Sequence, residues 1–401
     1  MEMRSKIDNE FEDEINIETI KMFCRKEGCA FIEYYLGDVN SLGIIITEDD
    51  FKIIELAPKE YIENIILGYI KLISNKPIKD INGSMSANRI YEWIFEPLEK
   101  YIPKKVKNLV IVPDGCLYYL PFETIMKKES TLKKNFSYLL DHYNIAYVPS
   151  ISSMLILKEK RKNELKNCKD ILAIGSPKYD LFRIKYDEIR KKVKNNNENS
   201  NSKEHIYVNL PYAKHEIKAI KSIFKREKKD IFIGTRASER VLKNGLLNRY
   251  KIIHFACHGY IDESFPFRSS LILSPEPDKG EDGFLRAHEI SELDINAELV
   301  VLSACQSAHG PLEKAEGVLS LNRVFFTSGA KAVLSSLWQV NDRSSAELMK
   351  YFYRHLKKGM SIARALREAK LEMLKTKFNH PFYWAGFVLS GDGFATLFDQ
   401  K

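Results

Sequence analysis

The stretches Lys251-Ile252-Ile253-His254-Phe255-Ala256-Cys257-His258-Gly259 and Leu299-Val300-Val301-Leu302-Ser303-Ala304-Cys305-Gln306-Ser307 decide how this chain reads. Each is a short apolar run that stops at a reactive side chain. Such runs, bounded by Gly and Ser, read as strands of a parallel sheet, because those strands are covered on both faces and accept few polar residues. In open α/β sheets, sites gather beyond the carboxyl ends of the strands. His258 and Cys305 stand at two such ends, 47 residues apart (305 minus 258). The pattern predicts that the fold brings them together as a Cys–His dyad.

A thiolate is the strongest side-chain nucleophile near neutral pH, but a free thiol, with a pKa of about 8.5, is mostly protonated. An adjacent imidazole removes that obstacle by accepting the proton. His258, in the turn Cys257-His258-Gly259, is placed to do so. Gly259 has no side chain, so a substrate backbone can come close. Its N–H, with that of Cys305, would form an oxyanion hole for charge developing on the attacked carbonyl. Ala304 and Ser307 are small and leave the thiol open. His254, inside the strand, and Cys257, before the turn, read as core. His309, four residues after Cys305, is a rival base. As metal ligands, Cys257 and His258 would point to opposite faces of a strand, so no metal site is assigned. The chain has no G-x-S-x-G elbow, no G-x-x-x-x-G-K-[ST] loop and no G-x-G-x-x-G, and no cofactor is expected.

The rest of the chain alternates strands and helices. Ala30–Leu36, Ser41–Thr47 and Phe51–Leu56 read as a meander, with turns at Gly37-Asp38 and Glu48-Asp49-Asp50. Lys59–Ser74 carries Ile62, Ile65, Ile66, Tyr69, Ile70 and Ile73 at helical spacing. A helix over Ala87–Leu98, strands at Val106–Val112 and Ile145–Val148, and a helix over Ser152–Leu165 complete a first α/β series. A second begins at Asp170-Ile171-Leu172-Ala173-Ile174-Gly175. It continues with a helix over Ala213–Arg226, the strand Ile231–Ile233, a helix capped by Ser238 and the two dyad strands. A helix over Glu316–Thr327 ends at Gly329. A strand over Ala332–Val340, helices over Ser344–Lys357 and Ser361–Lys375, and a strand over Trp384–Ser390 close the series. The expected division is a lead over residues 1–29, a first subdomain over 30–166 and a second over 167–401. A polar, Asn- and Lys-rich run at 187–204 is expected to be a disordered loop. In the first subdomain Asp114, Glu123 and His142 are polar, and no spacing pairs them.

The 401 residues are 44% hydrophobic and 29% charged, as in ordinary globular proteins. No apolar run approaches the ~20 residues that span a bilayer. The charged start, Met1–Asn9, has no signal-peptide core. The chain therefore reads as cytoplasmic, without membrane contact. The cysteines are scattered with no CxxC pair, so a disulfide framework is not expected. A net charge of +8 is spread widely. The densest basic runs, Arg190–Lys194 and Lys225–Lys229, lack interleaved aromatics, so direct nucleic-acid binding is not expected.

An ordered series of motifs carries a family resemblance. It runs through Leu109-Val110-Ile111-Val112-Pro113-Asp114-Gly115, Tyr119-Leu120-Pro121-Phe122-Glu123 and Leu210-Pro211-Tyr212-Ala213 with Glu216-Ile217. The two dyad stretches, Asp282-Gly283-Phe284-Leu285 with Glu289-Ile290, and Glu316-Gly317-Val318-Leu319 belong to it. Ser336-Leu337-Trp338-Gln339-Val340-Asn341-Asp342 and His380-Pro381-Phe382-Tyr383-Trp384-Ala385 close it. From about Ala30 to Gly391 the chain resembles the CHAT domain, a bacterial caspase-like group related to separase and the caspases. In caspases too the His precedes the Cys, by about 50 residues.

The resemblance implies a caspase-like, mostly parallel sheet flanked by helices, preceded by a degenerate caspase-like α/β domain. It implies a cysteine endopeptidase with His258 as base and Cys305 as nucleophile. The strand Ser335–Asp342 would pair with the substrate backbone, making Ser336, Trp338, Gln339 and Asp342 substrate-binding residues. Asp342 matches by position an acidic residue that in separase helps receive a basic P1 side chain. An Asp here would equally cap the helix starting near Ser344, and both readings stand. Asp262, Glu263 and Asp282 are further acidic candidates for that pocket. The family also implies a protein substrate, gasdermin-like pore formers or operon-encoded proteins among the targets, in bacterial defence or regulated cell death. TPR repeats often precede CHAT domains, and none are read before Ala30, so a separate activator or sensor protein is expected. The alternative is a catalytically silent or partner-gated interaction module, against which the intact dyad argues.

Overall fold

The structure is a computed structural model that describes residues 15–77, 83–128, 136–160, 168–180, 208–243, 245, 247–262, 265–303, 305–306 and 316–399. For residues 159–160, 305–306 and 316–320 it describes the main chain. The run at 187–204, Glu263 and His309 lie outside the described residues.

The chain opens with α1 (Ile17–Glu27), capped by Asn16, whose side chain accepts the Thr19 N–H at 3.0 Å. β1 (Cys29–Tyr35), β2 (Ser41–Ile46) and β3 (Phe51–Leu56) form the expected antiparallel meander. α2 (Lys59–Ile73) buries Ile62, Ile66, Tyr69, Ile70 and Ile73, the face its spacing predicts. The helix expected over Ala87–Leu98 is broken into α3 (Ser84–Ile90), a π turn over Tyr91–Phe95 and α4 (Glu96–Glu99). Pro97 accounts for the break. It has no N–H, and its ring crowds the carbonyl four residues back, so a wider turn ahead of it relieves the clash. β4 (Asn108–Val112), β5 (Met126–Lys128), β6 (Phe136–Tyr138), β7 (Asn144–Tyr147) and α5 (Ile151–Lys160) follow.

Next come β8 (Lys169–Gly175), α6 (Pro211–Ile223), β9 (Lys229–Ile233), α7 (Glu239–Lys243) and β10 (Tyr250–Ala256). β11 (His258–Tyr260), β12 (Ser270–Ile272), β13 (Phe284–Arg286), α8 (Ala287–Ser291), β14 (Leu299–Leu302) and β15 (Cys305–Gln306) lead to α9 (Glu316–Thr327). The chain ends with β16 (Ala332–Ser336), α10 (Asp342–Leu356), α11 (Ile362–Leu374) and β17 (Phe387–Gly391). Among the described residues, no helix is long and apolar enough to cross a membrane.

The chain packs as two compact units, one drawn from Met1–Glu164 with His355–Lys401, the other from Leu165–Arg354. In the first, the strands run in the order β3-β2-β1-β4-β7-β17. From β1 onward the neighbours are parallel. In the second the order is β16-β14-β10-β8-β9, parallel throughout. β14 is buried along its whole length and β10 at every residue but Lys251. This is the burial that unbroken apolar runs require of parallel strands covered on both faces. α6 crosses between β8 and β9 and packs tightly on the sheet: a Cβ at Gly175 would meet Ile217 Cγ1 at 2.7 Å. Glycine there allows the close approach.

The first unit holds a fully buried ion pair. Lys370, on α11, donates to Glu123 Oε1 at 2.6 Å, and the Tyr147 hydroxyl donates to Oε2 at 2.6 Å. The Phe122 N–H in turn donates to the Tyr147 oxygen at 2.8 Å. Burial pushes the Lys370 ammonium below its ordinary pKa, and the Glu123 carboxylate opposes that push. Glu123→Leu leaves the Lys370 charge without its partner, and urea unfolding is expected to lose about 3 kcal/mol or more. A Glu123→Leu/Lys370→Met double variant should recover most of that loss. A single variant as stable as the native chain would show that the pair does not hold α11 in place.

Candidate active site

The main-sheet strands stop short of the dyad. β10 ends at Ala256 and β14 at Leu302. His258 and Cys305 were expected at those ends; they instead open β11 and β15, in a second, four-stranded sheet of order β13-β12-β11-β15. The step out of the main sheet occurs at Cys257, buried in the core with Phe255 and Leu302, and at Ser303, whose N–H donates to the Phe255 carbonyl at 2.8 Å. β11 and β15 then pair in parallel, with His258 the register partner of Cys305 and Gly259 that of Gln306. Paired strands lie about 4.8 Å apart, so the two main chains run side by side at the dyad. Gly259, half of the expected oxyanion hole, is buried on β11 and pairs on its other side with Leu271.

The His258 side chain is held from two directions. Its ring lies against Tyr179, centroid to centroid 4.8 Å, and its main-chain N–H donates to the Tyr179 hydroxyl oxygen at 2.8 Å. Its Nε2 is 2.7 Å from the Val208 carbonyl. A carbonyl can only accept, so Nε2 carries the proton, and in the neutral ring Nδ1 is the basic nitrogen. Burial pushes the imidazole below its ordinary pKa, with the Val208 carbonyl pulling the other way. A neutral ring is the form able to take a proton from a thiol. Tyr179 reaches the ring from a tight turn after β8, where Ser176 has φ 48°. Its N–H donates to the Ala256 carbonyl at 2.9 Å. A left-handed non-glycine residue costs about 1 kcal/mol, and such strain collects near functional sites.

Beneath the dyad lies a buried polar chain. Glu216, on α6, accepts from the Ser303 hydroxyl at 3.1 Å, and its other oxygen is 2.9 Å from His254 Nε2. His254 Nδ1 is 2.9 Å from the Tyr353 hydroxyl. His254 has no exposed surface, as expected of a core residue.

The expected substrate strand is shorter than its sequence suggests. β16 ends at Ser336, and Asp342 opens α10; the residues between them are irregular. Helix initiation explains this: the Asn341 side chain accepts the Ser344 N–H at 3.1 Å and caps α10. Ser336 and Trp338 are buried, while Gln339 is exposed. Asp342 is half-buried, and its carboxylate accepts the Tyr212 N–H at 2.8 Å. It therefore caps α6, not the helix it begins. Asp282 pairs with Arg286 at 2.6 Å, and Asp262 accepts the Phe265 N–H at 2.8 Å. Tyr179 and Val208 were missed by reading the sequence, and nothing at either position marks them. Glu216 stood within a recognised motif, but its partners lie far along the chain.

A parallel α/β sheet, with His and Cys opening neighbouring strands beyond its carboxyl edge, is the architecture of the caspase-like cysteine protease fold. Residues 84–392 match the CHAT domain family. Over 346 residues the chain is 25% identical to tetratricopeptide repeat protein 28 of Homo sapiens, and over 351 residues 24% identical to the Mus musculus protein of that name. Each match covers 75% of this chain and 13% of the relative. Separase in the Saccharomyces cerevisiae separase–securin complex superposes with a TM-score of 0.54 at 12% identity, over 93% of this chain and 30% of that one. The chain belongs to the CHAT domain family.

His258 is expected to titrate below the ordinary imidazole value of 6.5, because burial outweighs the Val208 contact. Imidazole-resolved NMR of the Cys305→Ala variant measures this. A midpoint at or above 6.5 would contradict a ring held neutral by burial.

Proposed function

We propose that this chain is a cysteine endopeptidase. The observation that carries the reading is the register pairing of His258 with Cys305. In the proposed cycle, Nδ1 of His258 takes the thiol proton, and the Cys305 thiolate attacks the scissile carbonyl carbon. The amides of Gly259 and Cys305 receive the developing oxyanion. The imidazolium then protonates the leaving amine, and the C–N bond breaks. Water, deprotonated by His258, attacks the thioester and releases the acid product and the free thiol. The cycle closes without a metal or organic cofactor.

The substrate main chain is proposed to lie along the segment of Ser336, Trp338 and Gln339. Separase-like reception of a basic P1 side chain by Asp342 would share its carboxylate with the Tyr212 amide. Family membership extends the reading to a protein target in defence or regulated cell death, and to a separate activator. The matched relatives are named for tetratricopeptide repeats, and helical repeats present extended binding surfaces, which supports gating by a bound protein.

A positional-scanning peptide library, with an electrophilic peptide probe beside it, tests the proposal. Cys305→Ala and His258→Ala should each lower turnover by about 10³-fold or more, and Cys305→Ala should abolish labelling. Peptide cleavage that persists in Cys305→Ala would overturn the assignment. The acid limb of kcat/KM should fall below pH 6.5, the ordinary imidazole value. The sign follows from the mechanism: a protonated ring cannot accept the thiol proton, so activity is lost as pH falls through a lowered pKa.

A further inference from the structure

We propose that Asp342 is a positioning residue for the dyad: its carboxylate caps α6 and so sets the Val208 carbonyl that holds His258. The inference rests on the dyad reading above and deepens it.

α6 cannot cap itself. Leu210 occupies its N-cap position and has no acceptor, and no cap hydrogen bond comes from that residue. The N–H groups of the first turn then need another acceptor. Asp342 supplies one from 130 residues away in the chain, taking the Tyr212 N–H at 2.8 Å with the Ala213 backbone also bonded to it. Those are the two positions a capping side chain ordinarily serves. The carboxylate is available for this because Asn341 caps α10. The Arg343 guanidinium lies over the Tyr212 ring at 5.8 Å, a second tie between the start of α10 and the start of α6.

The anchored end of α6 is what fixes the His258 partner. Val208 lies just upstream of Pro211, and its side chain is 66% exposed, so packing of that side chain does not place its carbonyl. The following residues do. Leu210 packs against Tyr179 and Ile272, and the Asn209 amide donates to Asp180 Oδ1 at 3.2 Å. Val208 is thus held on one side by the cluster that also cradles the His258 ring and on the other by the cap. Glu216, one turn into the same helix, contacts Ser303 and His254. A shift of α6 would therefore be felt at both strands that lead to the dyad. Because Asp342 follows the proposed substrate segment directly, whatever orders that segment also orders the dyad.

The test separates this role from a P1 receptor. Iodoacetamide has no P1 side chain, so its rate of reaction with Cys305 reports the dyad alone. Alkylation is followed by mass spectrometry across pH in the native chain and in His258→Ala, Asp342→Ala and Asp342→Asn. Asp342→Ala should slow alkylation of Cys305 by about fivefold or more, the equivalent of one lost cap. Its pH midpoint should move toward the ordinary thiol value of about 8.5. Asp342→Asn, whose amide oxygen still caps, should restore most of that rate and leave the P1 preference on peptides unchanged. Normal Cys305 alkylation in Asp342→Ala would overturn the inference and favour the receptor role. So would loss of preference for Arg and Lys at P1 in Asp342→Asn, a result that decides the matter even if Asp342→Ala does not fold. Native Cys305 reacting no faster than in His258→Ala would instead overturn the dyad itself.

Discussion

A buried carboxylate loses several kcal/mol of hydration unless protein groups replace the water. In the second unit that constraint falls on Glu216. The groups that replace water come from two different places: the Ser303 hydroxyl just beyond β14, and the His254 ring within β10. One side chain on α6 therefore joins the helix to the ends of the two strands from which Cys305 and His258 continue. The Tyr353 hydroxyl carries the chain on into α10, and burial pushes that phenol well above its ordinary pKa. In a low-dielectric interior a displaced partner leaves a charge or dipole unsatisfied, so such a network has few low-energy arrangements. Rigidity of this kind is what a nucleophile and base on separate strands need from the layer beneath them.

The same burial explains why the dyad lies outside the main sheet. A parallel strand covered on both faces has no side chain that water or substrate can reach. His254 shows the consequence: it sits on β10 and is wholly enclosed. By leaving the sheet at Cys257 and re-pairing immediately as β11, the chain presents His258 half-buried on the first rung of a small ladder. β14 repeats the step, re-pairing as β15 after Ser303. Partial burial is enough to lower the imidazole pKa while keeping the ring beside an accessible backbone.

These features were unequally legible in the sequence. The strands were clear because double-sided burial leaves unbroken apolar runs, as in Leu299–Leu302. The dyad was clear because reactive side chains stood where those runs stopped. β16 was overestimated because Trp338 and Val340 are buried like strand residues, and apolar burial by itself does not distinguish a strand from a packed irregular segment. The Asn341 cap, a local signal that was present, decides the boundary. Glu123 found its lysine 247 residues away, and Asp342 its helix 130 residues away. Local spacing encodes neither pairing. The Val208 contact is made by a carbonyl, which every residue type possesses, so no residue identity announces it.

The two units place a buried carboxylate to different ends. In the first, Glu123 joins Lys370 and Tyr147, three groups whose hydrogen bonds close on one another inside the core. The strand ends around them are likewise occupied structurally: after β4, Asp114 accepts the Leu36 N–H at 2.8 Å and holds the end of the meander. In the second, Glu216 faces outward from α6 to the point where β10 and β14 give way to a second ladder. Both arrangements have the same electrostatic requirement, a desolvated anion with full compensation. They differ in what the compensating groups lead to. Tyr147 and Lys370 lead back into helix and sheet, whereas Ser303 and His254 lie within a few residues of a thiol and an imidazole. A degenerate unit and a chemically equipped one thus share an α/β scaffold, and the distinction rests on whether the strand ends are closed by structural hydrogen bonds or continue into a ladder that exposes a reactive pair.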